Sequence, residues 1–379
     1  MKKWKIPLYK VFTDKDDVSF VSKVIKRGYN WAIGPEIEQF EKLLANYVGS
    51  DYCLAFNSGT SALHASLLAL GTKSGDEIMV PSFTFIATAN AAIMVNAIPK
   101  FVDIEDETYG LNPSDVECSI TKKCKAIIPV HYAGLPCKIE EIADIAKRKK
   151  MFLIEDAAES LGSKINNKMI GTFGDLAIFS FAGNKVLTTG EGGCITTNSK
   201  QFYEKLKLIR SHGRLERQNY FSSMEKSEYV TIGYNWRMSS MTAALAISQL
   251  KKLEKLIQLR RRNAEYLSSR LRKFKQIRVP FEPEGHRHVY QLYSIRLQNS
   301  KLRDKLMHFL TTKGIMSKVF FYPVHLTSFY KKMRYSKKKE LRTTQIVSNQ
   351  ILTLPMYPGL KAEELDHICD SIHEFMEKQ

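Results

Sequence analysis

No stretch of this 379-residue chain stays apolar for the roughly 18 residues that a membrane-spanning helix needs. Its first residues, MKKWKIPLYK, carry lysines but neither the apolar core nor the small-residue cleavage site of a secretion signal, so the expected compartment is the cytoplasm. Metal-type cysteine spacing is missing too. Cys53, Cys118, Cys124, Cys137, Cys194 and Cys369 form no CxxC pair and no Cys/His cluster, which excludes the usual zinc sites and leaves reduced thiols as the expectation. There is no internal repeat and no low-complexity linker. Acidic residues are in short supply: 39 Asp and Glu against 57 Lys and Arg leave a net charge of +18. Such an excess attracts phosphorylated ligands and polyanions. The basic runs at residues 259–263 (LRRRN) and 331–342 (KKMRYSKKKELR) nevertheless lack the interleaved aromatics and glycines of single-strand binders. They read first as solvated surface, with a ligand-steering field and nucleic-acid binding as the alternatives.

What is present begins with length, enough for one large domain and a smaller one. Short apolar runs recur between residues 76 and 197: DEIMVPSF, IPKFVDI, KAIIPVHY, MFLIEDAA, LAIFSF and GCITT. Helix-compatible stretches such as residues 139–149 separate several of them, which predicts an α/β fold with a mainly parallel sheet covered on both faces. Ahead of the sheet, NSGTSALHASLLALG sets Asn57, Ser58 and Gly59 before Leu63, Leu67 and Leu70 at helical spacing, with Gly71 as the stop. That predicts a helix from about Thr60. Residues 241–272 read as one long helix, with Leu245, Leu250, Leu253, Leu256 and Ile257 on its apolar stripe. Beyond it come a strand in HVYQLYSIRL, a helix in SKLRDKLMHFLTTKG, a strand near SKVFF and a last helix after LPMYPGL. The expected division is a large α/β domain over residues 13–245 and a small C-terminal α+β domain over 246–379, with residues 1–12 packing on the latter.

Four stretches could carry chemistry. In LAIFSFAGNKVLTTGEGG a strand ends at Ser180, and Lys185 follows five residues later with Gly190, Gly192 and Gly193 behind it. Ligands of open α/β sheets bind at such strand ends, and a desolvated lysine amine forms a Schiff base with a carbonyl. Upstream, FLIEDAAES ends a strand in Glu155 and Asp156; a carboxylate so placed can keep a pyridine nitrogen protonated. NSGT opens a helix, where N–H groups, the dipole and the hydroxyls of Ser58 and Thr60 make a phosphate seat. In VPSFTFIAT, Phe83 and Phe85 alternate with polar residues and would share one side of an extended segment, either able to lie against a flat cofactor. Singly, each has an ordinary reading as solvated loop, helix start, cap or core. In chain order they converge on pyridoxal phosphate, which needs a phosphate seat, a flat aromatic, an acid and an amine together.

With these stretches stand GPEIEQFEKLLANYVG, GDEIMVPSFTFIATANA, KAIIPVHYAGLPC, GYNWRMSSMTAALAISQL and FFYPVH. Together they make the chain resemble, over nearly its whole length, the DegT/DnrJ/EryC1/StrS family of pyridoxal-phosphate sugar aminotransferases of fold type I. FSFAGNKVLTTGEGG, GYNWRM and FYPVH look most like the perosamine synthases of that family, which aminate C4 of a GDP-linked 4-keto-6-deoxymannose. The resemblance implies that Lys185 forms the Schiff base and moves protons, that Asp156 partners the pyridine nitrogen and that Phe85 stacks on the ring. Ser58, Gly59, Thr60 and Ser180 would bind the phosphate. It also implies a homodimer whose partner subunit completes that phosphate site, with Asn235 as the foremost donor and Arg237 second. Many members carry Gln or His near the cofactor's phenolic oxygen, where this chain has Glu159. Trp31, Gly34, His212, Tyr322 and His325 would line the nucleotide-sugar pocket.

The implied reaction is ping-pong transfer from L-glutamate to a nucleotide-linked keto sugar, at C4 of a GDP- or UDP/TDP-4-keto-6-deoxyhexose. The alternatives are amination at C3 or of a keto-inositol, and, in another class, a non-catalytic regulator or nucleic-acid binder. Members that became C3 dehydratases have His in place of the lysine, so Lys185 favours transamination.

Overall fold

The computed structural model describes residues 4–215, 224, 226–333 and 340–378; the lysine run at 337–339 lies outside them. Along the strand Tyr52–Phe56, Leu54 and Phe56 are buried in one apolar layer and Cys53 and Ala55 in the other. The same two-residue alternation divides Ile78 and Val80 from Met79, and Ile178 from Ala177 and Phe179. A sheet apolar on both faces has to be covered on both. Pro35–Val48, Ile139–Arg148 and Ser240–Lys251 cover one face, and Gly59–Ala69, Ile86–Met94 and Lys200–Arg210 the other.

The sheet has seven strands, in the order Tyr52–Phe56, Gly193–Thr197, Leu176–Ser180, Phe152–Asp156, Cys124–Ile127, Glu77–Pro81, Ile98–Val102. Only Gly193–Thr197 runs antiparallel to its neighbours. All six apolar runs read from the sequence are strands here, and the α/β expectation stands. Tyr52–Phe56 is the strand that reading missed.

A second, three-stranded antiparallel sheet is built from Ile277–Arg278, Tyr293–Leu297 and Ile351–Leu354. Leu267 and Leu271, Leu306 and Leu310, and Ile368 and Ile372 pack its core, and Ile6 joins them through a bridge to Ile315. Two expectations are corrected. Residues 241–272 form two helices, Ser240–Lys251 and Leu253–Leu271, because Lys252 leaves helical geometry (φ −107°, ψ 4°). Its N–H bonds Gln249 O at 3.2 Å, and its ammonium holds Asp14 and Asp17 at 2.6 and 3.0 Å. The strand expected near SKVFF is only a bridge between Lys318 and Thr353; Ile351–Leu354, four apolar residues long, takes its place at the sheet edge.

Candidate active site

Gly193 lies opposite Phe56 on one side and Ser180 on the other, so the ends of those two strands meet the start of the antiparallel one. Asp156 ends the next strand, and the loop after Ser180 brings Lys185 back to the same edge. Ligands of open α/β sheets bind at this edge.

After Phe56, Ser58 caps the helix Gly59–Ala69 by accepting the Ser61 N–H at 3.1 Å. The N–H groups of Gly59 and Thr60 belong to the first turn, where a helix supplies no acceptors. Two close approaches shape the cradle. A Cβ on Gly59 would stand 3.0 Å from Ser180 Cβ, and one on Gly193 only 2.6 Å from the Gly59 nitrogen. Side-chain-free backbone, donors without helical acceptors and the Ser180 hydroxyl fit a phosphate.

Asp156 is 4% exposed. Its Oδ2 accepts the Thr88 hydroxyl at 2.7 Å and its Oδ1 the Ala158 N–H at 3.3 Å. Burial pushes its pKa up against the opposing pull of these bonds and of Lys185. A cationic ring nitrogen beside it would offset that burial, so the site suits a protonated pyridine. Thr88 in turn bonds Thr84 at 2.8 Å. Its neighbour Glu155 faces the other way and accepts the N–H groups of Gly171, Phe173 and Gly174 at 2.7–2.9 Å. Behind it, His131 Nδ1 accepts the Cys137 N–H at 3.1 Å, which leaves Nε2–H to donate to Glu155 at 3.3 Å.

Lys185 Nζ lies 3.4 Å from Glu159 Oε1, and the Ala133 N–H holds Glu159 Oε2 at 2.8 Å. Phe85 caps the helix Ile86–Met94 and is 61% exposed, an aromatic face left open at the site. Of the two aromatics that the sequence offered, Phe83 has no face left for a cofactor, although both rings touch Phe321. The segment bends after Pro81, and Phe83 is fully buried against Tyr132 and Tyr109.

The remaining sequence candidates are more dispersed. Asn235 bridges to Ser211, Arg237 bridges to Phe56 and donates to Ser211 Oγ at 3.1 Å, and the Asn57 N–H bonds Trp236 O. This lays the segment directly before the phosphate cradle. His212, at φ +60°, is exposed and donates its N–H to Tyr234 O. Trp31 and Gly34 pack on Ser240, where a Gly34 Cβ would stand 2.6 Å from its Oγ. Tyr322 is exposed, whereas His325 is buried with Nδ1 on Ser82 Oγ at 2.6 Å. Sequence reading missed Thr88, Ala133 and Gln291, whose Nε2 bonds Asn184 O at 2.7 Å. Thr88 alone left a local trace, standing one helical turn after Thr84.

Comparison with known proteins finds relatives over nearly the whole chain. The model of the DegT/DnrJ/EryC1/StrS aminotransferase family matches residues 12–373. A GDP-perosamine synthase of Escherichia coli O157:H7 is 35% identical over 370 residues, covering 98% of both chains. Among solved structures, Helicobacter pylori PseC, an aminotransferase involved in the biosynthesis of pseudoaminic acid, superposes with a TM-score of 0.91 at 27% identity over the full length of both chains. A Brucella abortus aminotransferase of the same family gives a TM-score of 0.87 at 34% identity and 95% coverage of each chain.

Proposed function

This chain belongs to the DegT/DnrJ/EryC1/StrS aminotransferase family, and from that premise we propose that it moves the amino group of L-glutamate to C4 of a nucleotide-linked 4-keto-6-deoxyhexose. It is a pyridoxal 5′-phosphate-dependent sugar aminotransferase. The observation that carries transamination is the Lys185 amine, held at 3.4 Å by Glu159 on the strand edge that also carries buried Asp156 and the Gly59–Ser180 cradle; the C4 assignment is supported by the 35% identity to a GDP-perosamine synthase.

When bound, pyridoxal phosphate supplies an aldehyde that takes up and returns the amino group and a ring that stores the electron pair freed by proton removal. Gly59, Thr60 and Ser180 would grip the phosphate, and Asp156 would keep a positive charge on the ring nitrogen. Phe85 offers its face to the ring. Lys185 Nζ would hold the cofactor and, once freed, would take the proton from the glutamate Cα and set it down on the cofactor; in the second half-reaction it would carry that proton on to the sugar carbon. The route is ping-pong. Glu159 aims the amine and, by the family resemblance, would face the cofactor's phenolic oxygen. The nucleotide sugar would lie toward Trp31, Gly34, His212 and Tyr322, with His325 supporting the wall through Ser82.

The working unit we propose is a cytoplasmic homodimer. Ile232 is 85% exposed, with Tyr229 and Val230 exposed beside it. Water-facing apolar side chains on the segment leading to Asn235 fit a surface covered by a second copy, which would bring Asn235, and then Arg237, to its neighbour's phosphate.

The test is an absorption spectrum of the purified protein with pyridoxal phosphate, before and after L-glutamate, with Lys185→Ala alongside. Glutamate converts the long-wavelength band of the lysine-bound cofactor to a shorter-wavelength one in the wild type and not in the variant. Turnover of 4-keto but not 3-keto nucleotide sugars then settles the position; no turnover of any 4-keto sugar refutes the C4 assignment.

A further inference from the structure

The arginine run at residues 260–262, which the aminotransferase reading leaves without a role, divides on folding. Arg261 pairs with Glu282 at 2.7 Å, and Arg262 turns to Asn263 Oδ1 at 3.3 Å. Arg260 goes inward and is 2% exposed. Its Nη1 donates to three carbonyls, Tyr290 O at 3.2 Å, Gln291 O at 3.3 Å and Met356 O at 3.1 Å. Among the described residues it meets no carboxylate, and its Nε has no partner. Burial pulls its pKa down to about 10. A guanidinium taken out of water with only carbonyls around it is unfavourable for stability. A place that needed only filling would be better served by an apolar side chain.

What Arg260 grips is a strap, residues 288–292. Tyr290 sits at φ +49°, the left-handed region that a residue with a Cβ avoids. His288 stacks on its ring at 3.9 Å and accepts its N–H on Nδ1 at 3.0 Å. The carbonyls of Tyr290 and Gln291, at this strained turn, are two of the three that end on Arg260. From the turn, buried Gln291 reaches Asn184 O at 2.7 Å, one residue before Lys185. On its other side the strap holds Glu159's support: Val289 N–H donates to Gly134 O at 3.1 Å and Leu292 N–H to Ala133 O at 3.2 Å. Ala133, itself left-handed at φ +58°, is the residue whose N–H holds Glu159. One strap therefore bonds both the peptide ahead of Lys185 and the turn that carries the carboxylate facing it.

We propose that Arg260 and Gln291 are positioning residues for amino transfer: Arg260 fixes the strained turn, and through it Gln291 fixes the Lys185 backbone against Glu159. This rests on the reading of Lys185 as the cofactor-bonding lysine. Gln291→Met keeps the side chain's length and removes its donor, and Gln291→Glu puts an acceptor against the Asn184 carbonyl. Both folded holoenzymes should lose between about 10- and 100-fold in kcat, as misplaced reacting groups do, with KM for L-glutamate and for the keto sugar little changed.

A second readout needs no turnover. Apoprotein is mixed with pyridoxal phosphate, quenched with borohydride at timed intervals, and the Lys185 adduct is followed by mass spectrometry. The adduct should form about tenfold more slowly in both Gln291 variants, reach the wild-type extent, and form at an intermediate rate in Arg260→Lys. Wild-type rates in a folded Gln291→Met or Gln291→Glu protein would overturn the proposal, and so would failure of both variants to fold, which would make Gln291 a purely structural residue. Absence of the adduct in the wild type is a separate result, and it refutes the aminotransferase reading itself.

Discussion

Thr88→Val is the sharpest probe of the site, because it removes the one hydroxyl that Asp156 and Thr84 share and changes little else. Thr88 and Asp156 are both buried, and the hydroxyl donates to Oδ2 at 2.7 Å. A hydrogen bond to a charged group contributes about 1.5–3 kcal/mol. At about 1.4 kcal/mol per decade, a cofactor that needs the charged form of Asp156 should bind roughly 10- to 100-fold more weakly to the variant. Titration of apoprotein with pyridoxal phosphate measures this. The pH dependence carries an independent sign. Burial raises the Asp156 pKa and the Thr88 bond lowers it, so losing the hydroxyl raises it further and moves the acidic limb of kcat to higher pH. In the cofactor-free chain the raised pKa favours the fold while the carboxyl is protonated, and that contribution is lost as pH rises through it. Apo Thr88→Val should therefore lose more stability than the wild type on going from acid to neutral pH. Thr88→Ser keeps the hydroxyl and should behave as wild type. Unchanged cofactor affinity together with an unmoved acidic limb in Thr88→Val would refute the assignment of Asp156 as the ring-nitrogen partner.

Three further outcomes are expected. Gly193→Ala, whose Cβ would press on the Gly59 nitrogen at 2.6 Å, should destabilise the protein by about 1–3 kcal/mol and weaken cofactor binding; Gly190→Ala, at φ +82° in open space, should cost about 1 kcal/mol and leave binding alone, as melting and titration will report. Burial holds His288 neutral, with its pKa pulled from 6.5 down to about 3. The unfolded chain thus takes up a proton at this position before the folded one, and the melting temperature of the wild type should fall more steeply from pH 6.5 toward 3 than that of His288→Gln, which keeps an acceptor for the Tyr290 N–H. Ile232→Asp should shift sedimentation toward monomer and, if the neighbouring copy completes the phosphate site, lower cofactor affinity in parallel; an unchanged dimer would move the interface elsewhere.

The six strands between residues 76 and 197 were legible because strands buried on both faces are apolar at successive positions, whichever way they run, and Asp156, Ser180 and Lys185 because strand ends are marked by the change to polar and small residues. What joins them is register: Gly193 opposite both Phe56 and Ser180 is set by pairing between strands far apart in the chain. Periodicity failed where the deciding contact was distant. The apolar stripe of residues 241–272 runs on through Lys252, but the break there is held by Asp17, 235 residues away. Phe83 and Phe85 alternate as in a strand, yet the chain turns between them to start a helix, and only Phe85 stays at the surface. Arg260 is the deepest case. A basic run reads as solvated surface because a like-charged cluster ordinarily repels its way into water. Here the run lies along the helix Leu253–Leu271, so its three members point in different directions, about 100° apart. One of them meets carbonyls supplied 30, 31 and 96 residues later in the chain. The charge of such a run is a property of composition, but which of its members faces water is a property of the fold, and the member that does not is the one tied, through Gln291, to the lysine.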